Sequence, residues 1–173
     1  MKKLLFAYLL FFTSIGCIAQ NAATTENILS TAYKQASKEN KNVFVIFHAS
    51  WCGWCKKMDA SMNDATTKKY FDDNFVTVHL TVLETEENKK LETPGASEFM
   101  KTLKAETAGL PFFTILNKNG NVLADSFVNG GNIGCPASET EVENFIILLK
   151  KTSKINEKGL AAITERFKMN KAQ

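Results

Sequence analysis

Residues 43–58 read VFVIFHASWCGWCKKM and join an apolar segment to a closely spaced pair of cysteines. Residues 43–47 are all apolar and either β-branched or aromatic, which is typical of a strand buried on both faces. Met58 and Met62 then stand four residues apart with polar residues between them, as on one face of a helix. The CGWC sequence at 52–55 therefore lies where a strand passes into a helix.

The remaining chain alternates strands with helices around this segment. The hydrophobic pattern predicts helices at 26–40, 96–105 and 139–151, strands at 75–83, 112–116 and 122–128, and a C-terminal helical extension at 156–169. The polar residues 84–94 predict a solvated loop, and the NKNG sequence at 117–120 predicts a hairpin turn. Strands separated by helices favour parallel pairing, and the hairpin adds an antiparallel edge strand.

Residues 1–19 have the pattern of a signal peptide. Lysines 2 and 3 supply a positive start, residues 4–12 are apolar, and cleavage is expected after Ala19. Alternatively, residues 14–17 (SIGC) resemble a lipobox, in which Cys17 would carry a lipid anchor. The apolar run is well short of the roughly 20 residues that span a bilayer. We therefore expect an exported, periplasmic protein with no membrane span in the mature chain, either free or lipid-anchored outside a membrane.

Length, composition and charge predict one globular domain over residues 20–173, with no surface charge pattern for binding nucleic acid. The chain has 173 residues, 45% of them hydrophobic and 23% charged, with a net charge of +3 carried by scattered basic residues. Removing residues 1–19 leaves Cys52, Cys55 and Cys135. This odd number argues against a framework of structural disulfides, and a close pair with one remote thiol suits a redox site better.

The position of the cysteine pair assigns a role to each sulfur. Two intervening residues allow an intramolecular disulfide to form and reopen. Cys52 stands at the start of the helix, where free backbone N–H groups and the helix dipole stabilise a thiolate, the attacking species in exchange. Cys55 lies one turn inside, is expected to be more buried, and suits the resolving role.

Three other uses of the pair remain open on the residues alone. A zinc site needs about four ligands, and only Cys135, His48 and His79 could supply further nitrogen or sulfur ligands, at irregular spacing. Haem attachment would need a histidine where Lys56 stands. A purely structural disulfide is the third alternative.

Three motifs together resemble the thioredoxin superfamily, in particular its exported bacterial branches. The segment FHASWCGWCKKM at 47–58 is similar to the family's active-site segment. GLPFF at 109–113 resembles its second signature, and NKNG at 117–120 matches the following hairpin. The resemblance covers about residues 26–151. It implies an α/β thioredoxin fold with a mixed central sheet and helices on both faces.

The resemblance also implies a substrate-binding surface beside the cysteines. Pro111 is expected to be cis, which would leave the Leu110 backbone free to pair with an extended substrate segment. Trp51 is expected to form an apolar docking face next to Cys52. Trp54 occupies the place where thioredoxins usually have proline, and it should alter both the redox poise and the contact surface.

One departure from the family pattern concerns proton transfer. Thioredoxins usually bury an aspartate six residues before the first cysteine, and Ile46 stands there in this chain. The usual proton acceptor for Cys55 is therefore absent. His48 is a candidate replacement, and the charge of Lys57 is a candidate for lowering a thiol pKa. Cys135 is interpreted as an incidental thiol.

The predicted function is an exported thiol–disulfide oxidoreductase acting on protein thiols and disulfides. It uses Cys52 and Cys55, needs no cofactor or metal, and works preferentially as a reductase supplied by a membrane thiol-reducing partner. The sequence alone does not separate reduction from oxidation or isomerisation, because the family contains all three on one fold. Two alternatives are a non-catalytic peptide-binding module and a metal-handling protein with His48 beside the pair.

Overall fold

The apolar run that precedes the cysteines is an inner strand, β1 (Asn42–His48), of a four-stranded sheet. The computed structural model describes residues 23–171, so the predicted signal peptide and the Cys17 lipid site lie outside the described residues. The strand order is β2-β1-β3-β4, with β2 at Phe75–Thr81, β3 at Phe112–Leu116 and β4 at Val122–Asp125. β2 pairs parallel to β1, whereas β3 pairs antiparallel to β1 and to β4.

Helices cover both faces of this sheet, as expected. They are α1 (Thr25–Glu39), α2 (Gly53–Met62), α3 (Lys68–Asn74), α4 (Ala96–Thr102), α5 (Glu139–Thr152) and α6 (Glu157–Lys168). Alternate residues of β1 point to opposite faces. Phe44 and Ile46 pack with residues of α2, α3, α5 and α6, and Val45 and Phe47 pack with residues of α1 and α4. The chain therefore has the α/β thioredoxin fold with a mixed sheet.

The C-terminal extension is an integral part of one face. Leu160, Ile163 and Phe167 of α6 are buried in the same cluster as Phe44 and Phe145. The rings of Phe145 and Phe167 are 4.9 Å apart between centroids, within the range of favourable aromatic pairs. Residues 157–168 thus help to close the core over α5.

The direction of β3 corrects the prediction of parallel pairing. The Thr93 amide donates to the Thr81 carbonyl at the end of β2, and the Thr25 amide donates to the Pro94 carbonyl, each at 2.9 Å. The chain is therefore still at the end of the sheet where β1 and β2 terminate when α4 begins. A helix of 7 residues spans only about 10 Å, too little to return the chain to the far edge. β3 accordingly starts where β1 and β2 end.

Four local boundaries also differ from the predicted ones. The 84–94 segment contains a 3₁₀ helix at Glu86–Leu91, and α3 was not predicted because its short sequence buries one residue, Phe71. The predicted helix 96–105 ends at Thr102. The predicted strand 122–128 is broken because the Asp125 carboxylate accepts from the Phe127 N–H at 2.9 Å, which turns the chain. Beyond the break, β5 (Phe127–Val128) pairs with β6 (Gly131–Asn132) in a separate hairpin.

Among residues 23–171, no helix is long and apolar enough to cross a membrane.

Candidate active site

A disulfide joins Cys52 to Cys55 at the N-terminus of α2. Cys52 is the N-cap residue, and its sulfur accepts a hydrogen bond from the Cys55 N–H at 3.1 Å. Both cysteines are buried, with 3% of Cys52 and 1% of Cys55 exposed. On reduction, the Cys52 sulfur would lie at the positive end of a helix with an N–H donor already in place, which favours its thiolate.

Apolar side chains lie on the α2 side of β1. Ile46 is 1% exposed and belongs to the same buried cluster as Met58 of α2. The carboxylate that thioredoxins place here has no counterpart at this position, as the sequence indicates.

A chain of polar side chains lies beyond this apolar layer, between α2 and the ends of β1 and β2. The His79 Nε2 lies 2.7 Å from the Asp59 carboxylate, and the ring of His79 meets that of His48 edge-on at 5.2 Å. The His48 Nε2 lies 3.2 Å from the Thr81 hydroxyl. Burial, followed by the charge of His79, lowers the pKa of His48, so its ring is neutral near pH 7. Asp59 follows Cys55 by four residues and so lies on the same face of α2.

The metal-handling hypothesis has no site in the part of the chain that the structure describes. Within residues 23–171, no group of three or more His, Cys, Asp and Glu side chains is arranged to hold a metal ion.

Exposed apolar side chains surround the buried disulfide. Trp51 is 55% exposed, and its indole N–H donates to the Leu83 carbonyl at 2.9 Å. Trp54 and Leu83 are also exposed, and the Lys57 ammonium lies 4.4 Å from the centre of the Trp54 ring. Exposed apolar side chains grouped around one point of the surface are typical of a protein-interaction site.

The segment before β3 lies directly beside the cysteines. The Leu110 side chain packs against the cluster of Ala49, Cys52 and Cys55, and the Leu110–Pro111 peptide bond is cis, as the resemblance implies. Within residues 23–171, neither the N–H nor the carbonyl of Leu110 has a hydrogen-bond partner.

Glu84 belongs to the site although the sequence placed it in a solvated loop. It is 6% exposed, and its two carboxylate oxygens accept from the Ser50 N–H at 2.6 Å and the Ser50 hydroxyl at 2.7 Å. The Glu84 N–H in turn donates to the Glu92 carboxylate at 2.9 Å. A sequence signal for this contact exists, because the carboxyl ends of parallel strands meet at one edge and Glu84 follows β2 as Ser50 follows β1.

The third cysteine lies close to this surface but is covered. Cys135 is 6% exposed and borders a small groove that is also lined by Trp54, Leu110 and Asn132. Burial is the main cause that raises the pKa of the Cys135 thiol to about 12. The thiol is therefore protonated at neutral pH.

Comparison with known proteins gives the fold an independent assignment. A family model described as thioredoxin-like matches residues 24–118, more than half of the chain. A disulphide isomerase from Xylella fastidiosa Temecula1 superposes with a TM-score of 0.52 at 19% identity, covering 70% of this chain and 86% of that one. The oxidised C-terminal domain of DsbD from Neisseria meningitidis gives a TM-score of 0.48 at 18% identity, covering 76% and 97%. At 19% identity, the likeness to the Xylella protein shows the fold alone.

Replacing Glu84 should destabilise the protein in a pH-dependent way. The Ser50 hydroxyl, followed by the Ser50 N–H, lowers the pKa of Glu84 below its usual 4.5. A carboxylate whose pKa is depressed by folding contributes stability above the unfolded pKa and loses it as pH falls through the folded pKa. Glu84→Gln should therefore lower the melting temperature at pH 7, and its difference from wild type should shrink below about pH 4.5. Glu87→Gln, at an exposed position of the same loop, is the matched control, and a pH-independent difference would contradict this account.

Cys135 should resist alkylation in the folded protein. A pKa of about 12 instead of 9.0 leaves about a thousandfold less thiolate at pH 8. Iodoacetamide should therefore label Cys135 at least about a thousandfold more slowly than an unperturbed thiol, and at ordinary rates once guanidinium unfolds the chain. Mass spectrometry of the oxidised protein measures this, and fast labelling without denaturant would show that Cys135 is accessible.

Proposed function

We propose that this chain, which belongs to the thioredoxin-like family, exchanges disulfides with protein substrates through Cys52 and Cys55. The observation that carries the proposal is the Cys52–Cys55 disulfide at the start of α2, in which the Cys52 sulfur caps the helix. A helix cap made by sulfur couples a redox bond to a site that stabilises negative charge.

The proposed direction is reduction of the substrate, which proceeds in two displacements. The Cys52 thiolate attacks one sulfur of a substrate disulfide, forms a mixed disulfide and releases the other substrate sulfur as a thiolate. The Cys55 thiolate then attacks the Cys52 sulfur, releases the second substrate thiolate and restores the Cys52–Cys55 disulfide. Two electrons have passed to the substrate, and the protein is left oxidised, as in the structure.

Cys52 is assigned the first attack because the hydrogen bond from the Cys55 N–H ends on its sulfur. That donor stabilises charge on Cys52 and not on Cys55. Cys55 lies within α2 and is the more covered of the two, at 1% exposed. It therefore meets the mixed disulfide from inside the protein, as a resolving thiol should.

The substrate is proposed to dock on the exposed rings of Trp51 and Trp54 and on the backbone of the Leu110–Pro111 segment, in which the Pro111 side chain itself is buried. The exposed indole rings supply apolar contact area, and the free N–H and carbonyl of Leu110 offer hydrogen bonds to an extended segment. Since Leu110 packs against the small cluster that contains both cysteines, a segment paired there would pass close to the disulfide.

The Cys55 proton must leave before the second displacement. Ile46 cannot accept it, so we assign this task to the polar group of Asp59, His79 and His48. The lowered pKa of His48 keeps its imidazole free to take a proton at neutral pH.

The proposal includes export, because residues 1–19 have the pattern of a signal peptide. The mature protein would then be either free in the periplasm or anchored by a lipid on Cys17. A membrane thiol-reducing protein is the proposed electron donor, because a reductase outside the cytosol must be re-reduced after each turnover. A peptide-binding module without catalysis is the competing function, and the cysteine variants below separate the two.

The two cysteine variants should fail in different ways. Cys52→Ser removes the attacking thiolate and should abolish reduction of insulin disulfides. Cys55→Ser removes the resolving thiol and should accumulate mixed disulfides that reducing agent releases. Non-reducing gel electrophoresis with mass spectrometry detects the trapped species. Full activity of Cys52→Ser would overturn the assignment. No exchange by the wild-type protein, together with substrate binding that survives loss of both thiols, would favour the binding module.

The reduction potential of the pair tests the direction. Reduction of client disulfides requires a low potential, so equilibration with glutathione should give a value nearer thioredoxin, at about −270 mV, than a strong oxidant, at about −120 mV. Tryptophan fluorescence should report the equilibrium, since Trp51 directly precedes Cys52 and Trp54 directly precedes Cys55. A value near the upper reference would replace the reductase by a disulfide donor or isomerase, with Ile46 and Trp54 as the first positions to exchange.

A further inference from the structure

We infer that Asn132 is the positioning residue that shapes the substrate-docking backbone at Leu110. The inference rests on the proposed function for the role of Leu110 and concerns a residue of β6, outside the matched family region 24–118.

The Asn132 amide group binds the Leu110 segment from one side. Its Nδ2 lies 2.9 Å from the carbonyl oxygen of Ala108, 3.3 Å from that of Gly109 and 3.0 Å from that of Pro111. An amide has two N–H donors, so these are shared among three acceptors. The Leu110 carbonyl, between them, is the one that Asn132 leaves free.

The orientation of this side chain is fixed at both ends. The Asn132 Oδ1 accepts from the Gly134 N–H at 3.0 Å. The opposite amide orientation would place Oδ1 against three carbonyl oxygens, and Nδ2 against an N–H, so the contacts specify one orientation. Asn132 can therefore hold the segment in a single arrangement.

The β5–β6 hairpin that carries Asn132 is anchored to the central sheet. The Ser126 hydroxyl accepts from the Phe113 N–H of β3 at 3.1 Å, and the Ile133 N–H donates to the Ser126 carbonyl at 2.9 Å. The rings of Phe127 and Phe112 pack with centroids 5.2 Å apart. The hydrogen bonds of Asn132 thus connect residues 108–111 to the central sheet through this hairpin.

The backbone next to Asn132 also comes close to the segment. Gly134 has a φ of +51°, and a Cβ placed on it would lie 3.3 Å from the Pro111 carbonyl oxygen. Such a contact is tight, so the close approach depends on glycine. Asn132 at the end of β6 and Gly134, two residues further on, therefore both constrain where the cis-proline segment lies.

The backbone groups around Leu110 therefore fall into two sets, those bound by Asn132 and those left for a substrate. Asn132 takes carbonyls on both sides of Leu110, while the Leu110 N–H and carbonyl stay available for a substrate strand. An incoming strand needs both groups at fixed positions to form its two bonds. A small disulfide forms no strand, so its reaction with the cysteines should not depend on Asn132.

Asn132→Asp tests this with the full-length protein, because the carboxylate keeps the shape but cannot donate and places charge against three carbonyls. We expect the single-turnover rate constant for reducing insulin to fall roughly tenfold or more at low insulin concentration. The main cause should be a higher insulin concentration at half-saturation. The rate with oxidised glutathione and the reduction potential of the pair should match wild type. Asn132→Ser, whose hydroxyl is too short to reach the three carbonyls but adds no charge against them, should lose less.

Asn129→Asp makes the same chemical change at the exposed tip of the hairpin and should react like wild type. Equal losses with insulin and glutathione, or no loss with either in a folded Asn132→Asp, would overturn the inference. Should Asn132→Asp fail to fold, Asn132→Ser decides by the same comparison. Failure of the wild-type protein to exchange with either disulfide would instead overturn the proposed function.

Discussion

The hydrogen bond from the Cys55 N–H to the Cys52 sulfur ties the chemistry of this protein to its fold. N-cap positions usually carry an oxygen acceptor, and here the acceptor is the reactive sulfur. The donor is one of the N–H groups that every helix leaves unpaired at its start. The contacts that hold the start of α2, such as Ser50 on Glu84 and the packing of Met58 on the sheet, therefore also fix where the thiolate forms.

One edge of the sheet collects all the components of the site because β1 and β2 end there and β3 begins there. Cys52 follows β1, Glu84 follows β2, and Leu110 precedes β3. With β3 parallel, the Leu110 segment would lie at the opposite edge, about the length of a strand away from the cysteines. The antiparallel entry of β3 is thus a requirement of the proposed docking surface.

Local sequence patterns were sufficient for much of this arrangement. The strand of β1, the start of α2 at the cysteines and the hairpin after β3 follow from hydrophobic period and turn chemistry, which involve neighbouring residues. The predicted parallel direction of β3 was wrong, because the direction depends on how far the short α4 carries the chain. Asn132 was missed because its partners, the carbonyls of residues 108, 109 and 111, are distant in sequence and no periodicity marks them. Glu84 was missed because its contact with Ser50 follows from the pairing of β1 with β2 and not from any local pattern.

The burial of Cys135 has a consequence for the site that it borders. Its groove is shared with Trp54 and Leu110, so a reactive thiol there would compete with Cys52 for the same substrate disulfides. Exchange requires a thiolate, and a pKa of about 12 leaves almost none near neutral pH. The amide of Asn170, 3.5 Å from the Cys135 sulfur, and the surrounding apolar cluster keep water away from it. Desolvation of one thiol and helix capping of another thus favour the Cys52–Cys55 pair over Cys135 as the site of the proposed exchange, although three cysteines lie within the described fold.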